Sequence, residues 1–304
     1  MPVRSKVTQR ANSNSTADRE PRGDERSHTY NLGGDVTVHR LGYGNMQLTG
    51  PGVWGEPPNR EDARRLLRRA VELGVDLIDT ADSYGPDVAE ELISEALYPY
   101  SYALVIATKA GLVRTGPGEW HPLGRPEYLR QQCEMSLRRL RLERIDLFQL
   151  HRIDPQVALE DQLGELESLQ HRGKIRHIGL SEVTLDQIDA ARRLVTVVSV
   201  QNRYSLADRG SEAIIDYCQE RQLAFIPWFP LGNGELARAG GTVAKIATQV
   251  NATVPQVALA WLLDRSPNVL PIPGTASVRH LEENVASTGV GLSERQFRML
   301  RDLA

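Results

Sequence analysis

The strongest constraint on the fold is the regular alternation of short apolar runs with segments of helical spacing. Residues 60–74, REDARRLLRRAVELG, repeat apolar side chains three and four positions apart and end at Gly74, as an amphipathic helix does. The residues that follow, VDLID, form a short apolar run that is typical of a buried strand. Strands separated by helices pair in parallel through right-handed crossovers, so this pattern predicts an α/β fold.

The number of repeats indicates which α/β architecture the chain adopts. We predict strands at residues 41–46, 75–79, 103–108, 145–150, 175–180, 197–201, 224–228 and 268–273. We predict helices at residues 60–74, 87–97, 126–141, 157–171, 184–194, 211–221, 242–250, 254–264, 277–287 and 293–303. Eight strand–helix units in about 270 residues fit a TIM (β/α)8 barrel, for which about 250 residues are typical. A doubly wound sheet is the alternative, but the Gly-rich fingerprint that usually follows its first strand is absent.

Both ends of the chain add to the predicted barrel. The segment HTYNLGGDVTVHRLG predicts an N-terminal β-hairpin that turns at Gly33-Gly34-Asp35, and we expect it to cap the bottom of the barrel. The last helices are expected to be extra C-terminal elements. Residues 1–27 are polar and mixed in charge, so we expect a disordered tail there and a single barrel domain over residues 28–304.

Composition excludes several classes of partner and compartment. Hydrophobic residues make up 40% and the net charge is -3, so nothing indicates a nucleic-acid or membrane partner. No apolar run reaches the ~18 residues that a membrane span requires. Cys133 and Cys218 are the only cysteines, too few for a disulfide framework and without metal-ligand spacing. These features predict a cytoplasmic protein without a bound metal, and they give no indication of its oligomeric state.

Polar side chains follow three successive predicted strands. Asp79 ends the second strand, and Tyr84 lies in the loop after it. Lys109 follows the third strand, and His151 follows the fourth. Each residue has an ordinary alternative, such as a helix cap for the Asp or packing for the Tyr. The carboxyl ends of barrel strands meet at one mouth, however, so we expect the four side chains to lie together.

These four residue types suit proton donation to a carbonyl oxygen. A phenol has a pKa of ~10, and a nearby ammonium such as Lys109 lowers it. A buried Lys requires a counter-ion, which Asp79 can supply. His151 can orient the substrate oxygen or assist the proton transfer. No nucleophile lies beside a base in the sequence, so nothing indicates covalent catalysis.

The stretches DLIDTADSYG, VIATKAG and FQLHRID resemble the Asp, Tyr, Lys and His tetrad of the aldo-keto reductase superfamily. The resemblance spans roughly residues 30–304 and includes LGYGNMQLTGPGVWG, GKIRHIGLSE, VQNRYS, WFPLGNG and LPIPGTASVRHLEEN in the family's order. It implies a TIM barrel that reduces carbonyl compounds with NADP(H). RLGYGNMQLTGPGVWG and EALYPYS look closest to bacterial pyridoxal reductase-like members, which makes pyridoxal or another small aromatic aldehyde the expected substrate.

The resemblance also assigns roles to individual residues. It implies that Tyr84 is the general acid, that Lys109 paired with Asp79 lowers its pKa, and that His151 orients the carbonyl. The implied cofactor-binding residues run from the nicotinamide end to the adenosine end: Gly44, Asn45, Met46, Asp79, Ser181, Glu182, Gln201, Trp228, Phe229, Pro230, Leu231, Gly232, Gly234, Gly274, Thr275, Ser277, Arg279, His280, Glu283 and Asn284. Among them, Ser181 and Gln201 match the residues that hold the nicotinamide carboxamide, and Trp228 matches the aromatic that stacks on the ring.

Two departures from the family pattern concern the cofactor. Glu182 stands where Asn is usual, and a carboxylate can accept a hydrogen bond from an amide but cannot donate one. Gly274 replaces the usual Lys at the 2′-phosphate position, and His280, beside Arg279, stands where Arg is usual. Arg279 or His280 can still bind that phosphate, so NADPH remains favoured over NADH.

Substrate selection is expected in the loops around the barrel mouth. The implied pocket residues are Met46, Val53, Trp54, Tyr84, Trp120, His121 and His151. The aromatics among them suit a flat or apolar carbonyl compound, although anchoring of the loops is as good an interpretation for each. Arg114, in the long segment 111–124, is a candidate contact for an anionic group of the substrate.

Two other functions fit the same fold. One is a regulatory subunit of membrane channels that binds the cofactor with little turnover, although the intact tetrad argues against it. The other is a TIM-barrel isomerase or lyase that uses no dinucleotide, because the fold alone does not fix the function.

Overall fold

The computed structural model of the protein describes residues 28–232 and 241–303. The tail predicted at residues 1–27 lies outside the described residues. The strands are β1 Thr29–Leu32, β2 Val36–His39, β3 Tyr43–Gly44, β4 Leu77–Asp79, β5 Val105–Ala110, β6 Leu112–Gly116, β7 Glu119–Pro122, β8 Ile145–Leu150, β9 Ile175–Ser181, β10 Val197–Gln201 and β11 Ala224–Phe225. The α-helices are α1 Arg60–Glu72, α2 Val88–Leu97, α3 Pro126–Leu140, α4 Leu159–His171, α5 Leu185–Arg192, α6 Glu212–Glu220, α7 Gly241–Gln249, α8 Val254–Arg265, α9 Val278–Ala286 and α10 Glu294–Arg301.

A parallel sheet forms the centre of the fold. Its strands pair in the order β11-β10-β9-β8-β5-β4-β3. Residues 268–273 close the sheet into a barrel: the Leu270 N–H donates to the Phe225 carbonyl at 2.8 Å, and the Gly42 N–H donates to the Pro271 carbonyl at 2.9 Å. The eighth position is thus filled between β11 and the start of β3. The TIM barrel predicted from the alternation is confirmed.

Two predicted strands, at residues 224–228 and 268–273, are shorter in the structure because proline interrupts their hydrogen bonding. Only Val269 of residues 268–273 forms a ladder bridge, to Phe225. Pro271 and Pro273 have no amide hydrogen to donate to a ladder, and Pro227 similarly limits the strand predicted at 224–228. The strand predicted at 41–46 pairs only at β3, after which Asn45–Leu48 forms a 3-10 turn. One hairpin was not predicted: β6 and β7 pair antiparallel within the segment interpreted as a loop at 111–124.

The N-terminal hairpin closes the barrel at the end opposite the active-site loops. β1 and β2 pair antiparallel, with Leu32 opposite Val36. Leu32 and Val38 are buried in one apolar cluster with barrel side chains that include Leu77 and Leu147. At the turn, the Asp35 carboxylate accepts hydrogen bonds from Arg176 and His177 of β9. The predicted hairpin and its capping position are both confirmed.

The helices cover the outside of the barrel and begin at defined caps. The Asn59 side chain accepts from the backbone N–H groups of Glu61 and Asp62 at the start of α1. Thr184, Thr253 and Ser293 each form a capping box with a Gln three residues later. Within the described residues, no helix is long and apolar enough to cross a membrane.

Truncation of the hairpin core should destabilise the whole barrel. Leu32 is 1% exposed, so Leu32→Ala is expected to lower the free energy of unfolding by about 2–5 kcal/mol. Urea unfolding followed by circular dichroism measures this value. Leu194→Ala, at a side chain that is 38% exposed, is the matched control and should change it by less than about 1 kcal/mol. Equal losses for the two variants would show that the hairpin is not part of the cooperative core.

Candidate active site

Three of the four predicted catalytic side chains meet around the buried ammonium of Lys109. Its Nζ donates to the Asp79 Oδ1 at 2.5 Å and to the Thr80 carbonyl at 2.8 Å. The Tyr84 hydroxyl lies 3.5 Å from the same nitrogen. Lys109 is fully buried and Asp79 is nearly so. The ammonium therefore has a counter-ion on one side and the phenol on the other.

Strand register and one tight loop explain this placement. Asp79 pairs with Ala107 in the parallel ladder between β4 and β5, so Lys109 projects from the neighbouring strand two residues farther along. The loop after β4 brings Tyr84 back over this pair. Gly85 has φ +107°, and a Cβ there would lie 2.5 Å from the Val88 Cβ. Only glycine fits next to Tyr84 without displacing α2.

Two glutamines, which the sequence analysis did not link to Asp79, complete the environment of its carboxylate. The Nε2 groups of Gln149 and Gln201 donate to its Oδ2 at 3.0 and 2.8 Å. Gln201 was predicted only as a cofactor contact, and Gln149 was not selected. The available signal was Gln149 itself, a polar residue in the apolar run IDLFQL at a fully buried position. Such a residue requires a buried hydrogen-bond partner.

Burial and charge act in opposite directions on Tyr84 and Lys109. Burial raises the pKa of Tyr84, and the positive charge of Lys109 offsets only part of that effect. The net pKa of the phenol therefore lies above its ordinary value, whereas the residues alone had predicted a lowering by Lys109. Burial lowers the pKa of Lys109, but the charges of Asp79 and the phenolate of Tyr84 outweigh it and the net pKa is raised. Lys109 is consequently charged and Tyr84 protonated at neutral pH.

His151 is buried against Tyr84 as a neutral imidazole. Burial, together with the charges of Lys109, Arg152 and Arg114, holds its pKa well below the ordinary value. Its Nδ1 lies 3.3 Å from the Ser83 hydroxyl, and its ring packs edge-on against Tyr84 with centroids 5.8 Å apart. A neutral imidazole can donate one hydrogen bond into the cavity without adding charge to it.

A cavity of about 590 Å³ opens above this group at the barrel mouth. The predicted residues that line it are Gly44, Met46, Val53, Asp79, Tyr84, Trp120, His151, Ser181, Gln201, Trp228, Phe229, Pro230, Leu231, Gly232 and Gly274. Arg152 also lines it, although the sequence analysis did not select this residue. Gly234 lies outside the described residues.

The predicted substrate residues Trp54 and His121 do not line the cavity. The Nε2 of His121 lies 3.1 Å from the Thr115 hydroxyl within the β6–β7 hairpin. Trp54 packs beside the Arg114 guanidinium, whose central carbon lies 5.7 Å from the ring centroid. Their positions favour the loop-anchoring interpretation over substrate contact.

The residues predicted for the adenosine end lie around the start of α9, outside the cavity wall. The Ser277 hydroxyl accepts from the His280 N–H at 3.5 Å, and the Thr275 hydroxyl accepts from the Ser277 N–H at 3.0 Å. Arg279 is exposed and lies 3.0 Å from the His280 ring nitrogen. Asn284 is buried and Glu283 pairs with Arg279. Their cofactor role stays a prediction.

Two further predicted cofactor residues, Asn45 and Glu182, do not line the cavity. The Asn45 Nδ2 donates to the Ala89 carbonyl at 2.9 Å. Glu182 has φ +55°, and its Oε1 accepts from the Trp228 indole Nε1 at 2.5 Å and from the Arg203 N–H at 2.8 Å. The carboxylate therefore holds the indole N–H edge of Trp228, whose ring lines the cavity.

Arg114 holds the loops of the mouth together and is not available to an anion. Its five N–H groups donate to the carbonyls of Glu119, Val53, Ser83, Gly52 and Gly116. Its guanidinium also stacks on Trp120, 3.5 Å from the ring centroid. The expectation that Arg114 contacts an anionic substrate group is wrong, because no donor remains free.

Removal of this guanidinium should loosen the mouth while the barrel stays folded. In Arg114→Met, amide hydrogen exchange in residues 50–56 and 112–122 is expected to accelerate about tenfold or more, because five carbonyls lose a charged donor. Exchange–mass spectrometry at peptide level measures this. Arg144→Met is the control, since Arg144 is exposed and precedes β8 at the other end of the barrel. Unchanged exchange in both peptides would contradict this role.

Comparison with known proteins identifies the family. The sequence profile of the Aldo/keto reductase family matches residues 40–304. The chain is 51% identical to an uncharacterised oxidoreductase of Schizosaccharomyces pombe, covering 88% of this chain and 87% of that protein. It is 44% identical to pyridoxine 4-dehydrogenase of Escherichia coli, covering 90% and 97%.

A solved structure shows the same architecture. An aldo/keto reductase from Klebsiella pneumoniae, crystallised with NADP and acetate, superposes with a TM-score of 0.78 at 26% identity, covering 91% of this chain and 95% of that one. The resemblance noted in the sequence is therefore confirmed. This chain belongs to the aldo/keto reductase family.

Proposed function

We propose that this protein reduces an aldehyde or ketone to the alcohol, with a hydride from NADPH and a proton from Tyr84. The observation that carries the proposal is the Asp79–Lys109–Tyr84 contact at the base of the cavity, beside a neutral His151. Family membership and the pyridoxine 4-dehydrogenase relative support a dehydrogenase or reductase reaction. The same groups serve the reverse oxidation when the alcohol is supplied.

The residues at the nicotinamide end fit a carboxamide. Gln201 uses its Nε2 on Asp79 and Gln149, which leaves its Oε1 to accept from an amide N–H₂. The Ser181 hydroxyl accepts from Arg152 Nη1 at 3.2 Å, so its own hydrogen is available to an amide oxygen. Trp228, held by Glu182, presents a ring on which a nicotinamide would stack. The Klebsiella structure with NADP supports this choice of cofactor.

When bound, NADPH would supply the hydride that adds to the carbonyl carbon. As that C–H bond forms, the carbonyl π electrons move to oxygen, which takes the proton of the Tyr84 hydroxyl. The neutral His151 donates a hydrogen bond to the same oxygen and sets its position. Lys109 stabilises the phenolate that forms when Tyr84 gives up its proton, and Asp79 keeps the ammonium in place.

The cavity suits a small aromatic aldehyde such as pyridoxal. Trp120, Trp228 and Met46 contribute apolar walls, and the wall near Tyr84 is aromatic, with the Trp120 ring 6.3 Å from the Tyr84 ring. The relative named pyridoxine 4-dehydrogenase supports pyridoxal within this class. The cytoplasmic location expected from the sequence stays a prediction.

Removal of the proposed acid should strongly lower turnover and leave NADPH binding unchanged. Tyr84→Phe is expected to lower kcat for aldehyde reduction by about 10²–10⁴-fold, since the proton donor is lost while the ring remains. NADPH absorbance measures turnover, and quenching of tryptophan fluorescence measures the Kd for NADPH.

The control for this variant is the Kd for NADPH, which should stay within about threefold because Tyr84 is replaced by a ring of the same shape. Turnover comparable to that of the unmodified enzyme would exclude Tyr84 as the acid. If the unmodified enzyme binds NADPH but reduces no aldehyde, the cofactor-binding regulatory role replaces the proposal.

The pH dependence should reflect a protonated phenol and an uncharged His. Because the pKa of Tyr84 is raised above 10.0, kcat for reduction is expected to stay level from about pH 7 to 9 and to fall only as the pH passes that raised pKa. Because the pKa of His151 lies well below 6.5, no inflection should occur near neutrality. A rate profile that halves near pH 6.5 would show that His151 titrates in the working range.

A further inference from the structure

We infer that Arg152 is an anion-binding point in the substrate cavity, which receives a negatively charged oxygen located next to the reacting carbonyl. The inference rests on the proposed function and names the substrate class more closely. Arg152 follows His151 directly and lines the same cavity. Its Nη1 donates to the His151 carbonyl at 2.6 Å and to the Ser181 hydroxyl at 3.2 Å.

The guanidinium of Arg152 has donors to spare. A guanidinium carries five N–H groups, and only the two on Nη1 have partners within residues 28–232 and 241–303. Arg114 makes the contrast clear, because all five of its donors are used on backbone carbonyls. The Nε and Nη2 groups of Arg152 are therefore available to a bound molecule.

The charge of Arg152 is also unbalanced locally. Among the described residues, no carboxylate forms an ion pair with it. Glu182 is the acidic group that acts on it electrostatically, but the Glu182 Oε1 already accepts from Trp228 and the Arg203 N–H. Burial lowers the pKa of the half-buried guanidinium, which shows that its charge is only partly solvated. A negatively charged oxygen in the cavity would compensate for the solvation that the guanidinium loses on burial.

The position of Arg152 fixes where this oxygen lies on the substrate. The charge of Arg152 acts on both Tyr84 and His151, the two groups that would hold the reacting oxygen. Its two hydrogen bonds hold it to the His151 carbonyl and the Ser181 hydroxyl, at the carboxyl ends of β8 and β9. An oxyanion on the neighbouring position of the substrate would therefore face the free Nε and Nη2 groups.

These constraints define a class of carbonyl compounds. An aromatic aldehyde with an ortho-phenolate meets them, because its two oxygens are carried on adjacent ring carbons at one edge of the ring. Pyridoxal, with the phenolic hydroxyl of its pyridine ring next to the aldehyde, is a member of this class. An aldehyde with the same charge in the para position places that charge away from Arg152.

The test uses salicylaldehyde and 4-hydroxybenzaldehyde above the phenol pKa of both. Both phenolates are conjugated with the aldehyde in the same way. A difference in kcat/KM between the two compounds therefore reflects the position of the negative charge on the ring. The unmodified enzyme with NADPH is expected to show a kcat/KM about tenfold or more higher for salicylaldehyde, mainly through KM. In Arg152→Met this ratio should fall towards one, and Arg152→Lys should restore part of it. Arg144→Met, at the opposite end of β8, should keep the full ratio.

Other outcomes separate the two proposals. Equal kcat/KM values for the two aldehydes in the unmodified enzyme would overturn the role of Arg152 and leave the reductase function standing. An equal loss on both aldehydes in Arg152→Met, with the ratio unchanged, would show that Arg152 only supports His151 and Ser181.

A binding measurement covers the case in which no aldehyde is reduced. Calorimetry with the NADP⁺ complex, which cannot reduce an aldehyde, gives the Kd for each compound. Tighter binding of salicylaldehyde that is lost in Arg152→Met would support the anion site even though the reductase function fails. Equal Kd values would overturn the anion site.

Discussion

The buried contact between Lys109 and Asp79 organises the structure around the active site. An ammonium and a carboxylate without water are costly to bury unless each is paired and hydrogen-bonded. Here Lys109 donates to Asp79, Thr80 and the phenol of Tyr84, while Gln149 and Gln201 donate to the second oxygen of Asp79. The barrel supplies these partners from neighbouring parallel strands. The proposed chemistry therefore depends on the strand register, because the register brings Lys109, Asp79 and their partners together.

Two arginines at the mouth illustrate how partners determine the role of a charge. Arg114 directs every donor to backbone carbonyls and stacks on Trp120, so it stabilises the loops. Arg152 lines the cavity, and only its Nη1 donates a hydrogen bond to a partner within the described residues. Glu182 follows the same principle, because its carboxylate is committed to Trp228 and the Arg203 N–H. In each case the distribution of hydrogen bonds decides whether the residue supports the site or faces the ligand.

Sequence patterns predicted the barrel because each strand and helix carries its own local signal. The helices begin and end within a few residues of their predicted bounds, since caps and apolar spacing are properties of neighbouring residues. The shortened strands around Pro227, Pro271 and Pro273 also have a local cause that the sequence contains. The β6–β7 hairpin was not predicted, because Gly and Pro in that segment indicated a loop.

The sequence by itself determined the order of the strands, the hairpin cap and the residue types at the strand ends, since these follow from periodicity and local chemistry. Only the tertiary structure decided which polar groups share a partner. The net direction of the Tyr84 pKa depends on burial against the charge of Lys109, and both come from residues distant in the chain. The roles of Gln149, Arg114, Arg152 and Glu182 likewise depend on contacts across strands and loops. Hydrogen bonding and desolvation are properties of an assembled site, so the sequence of a single strand or loop does not determine them.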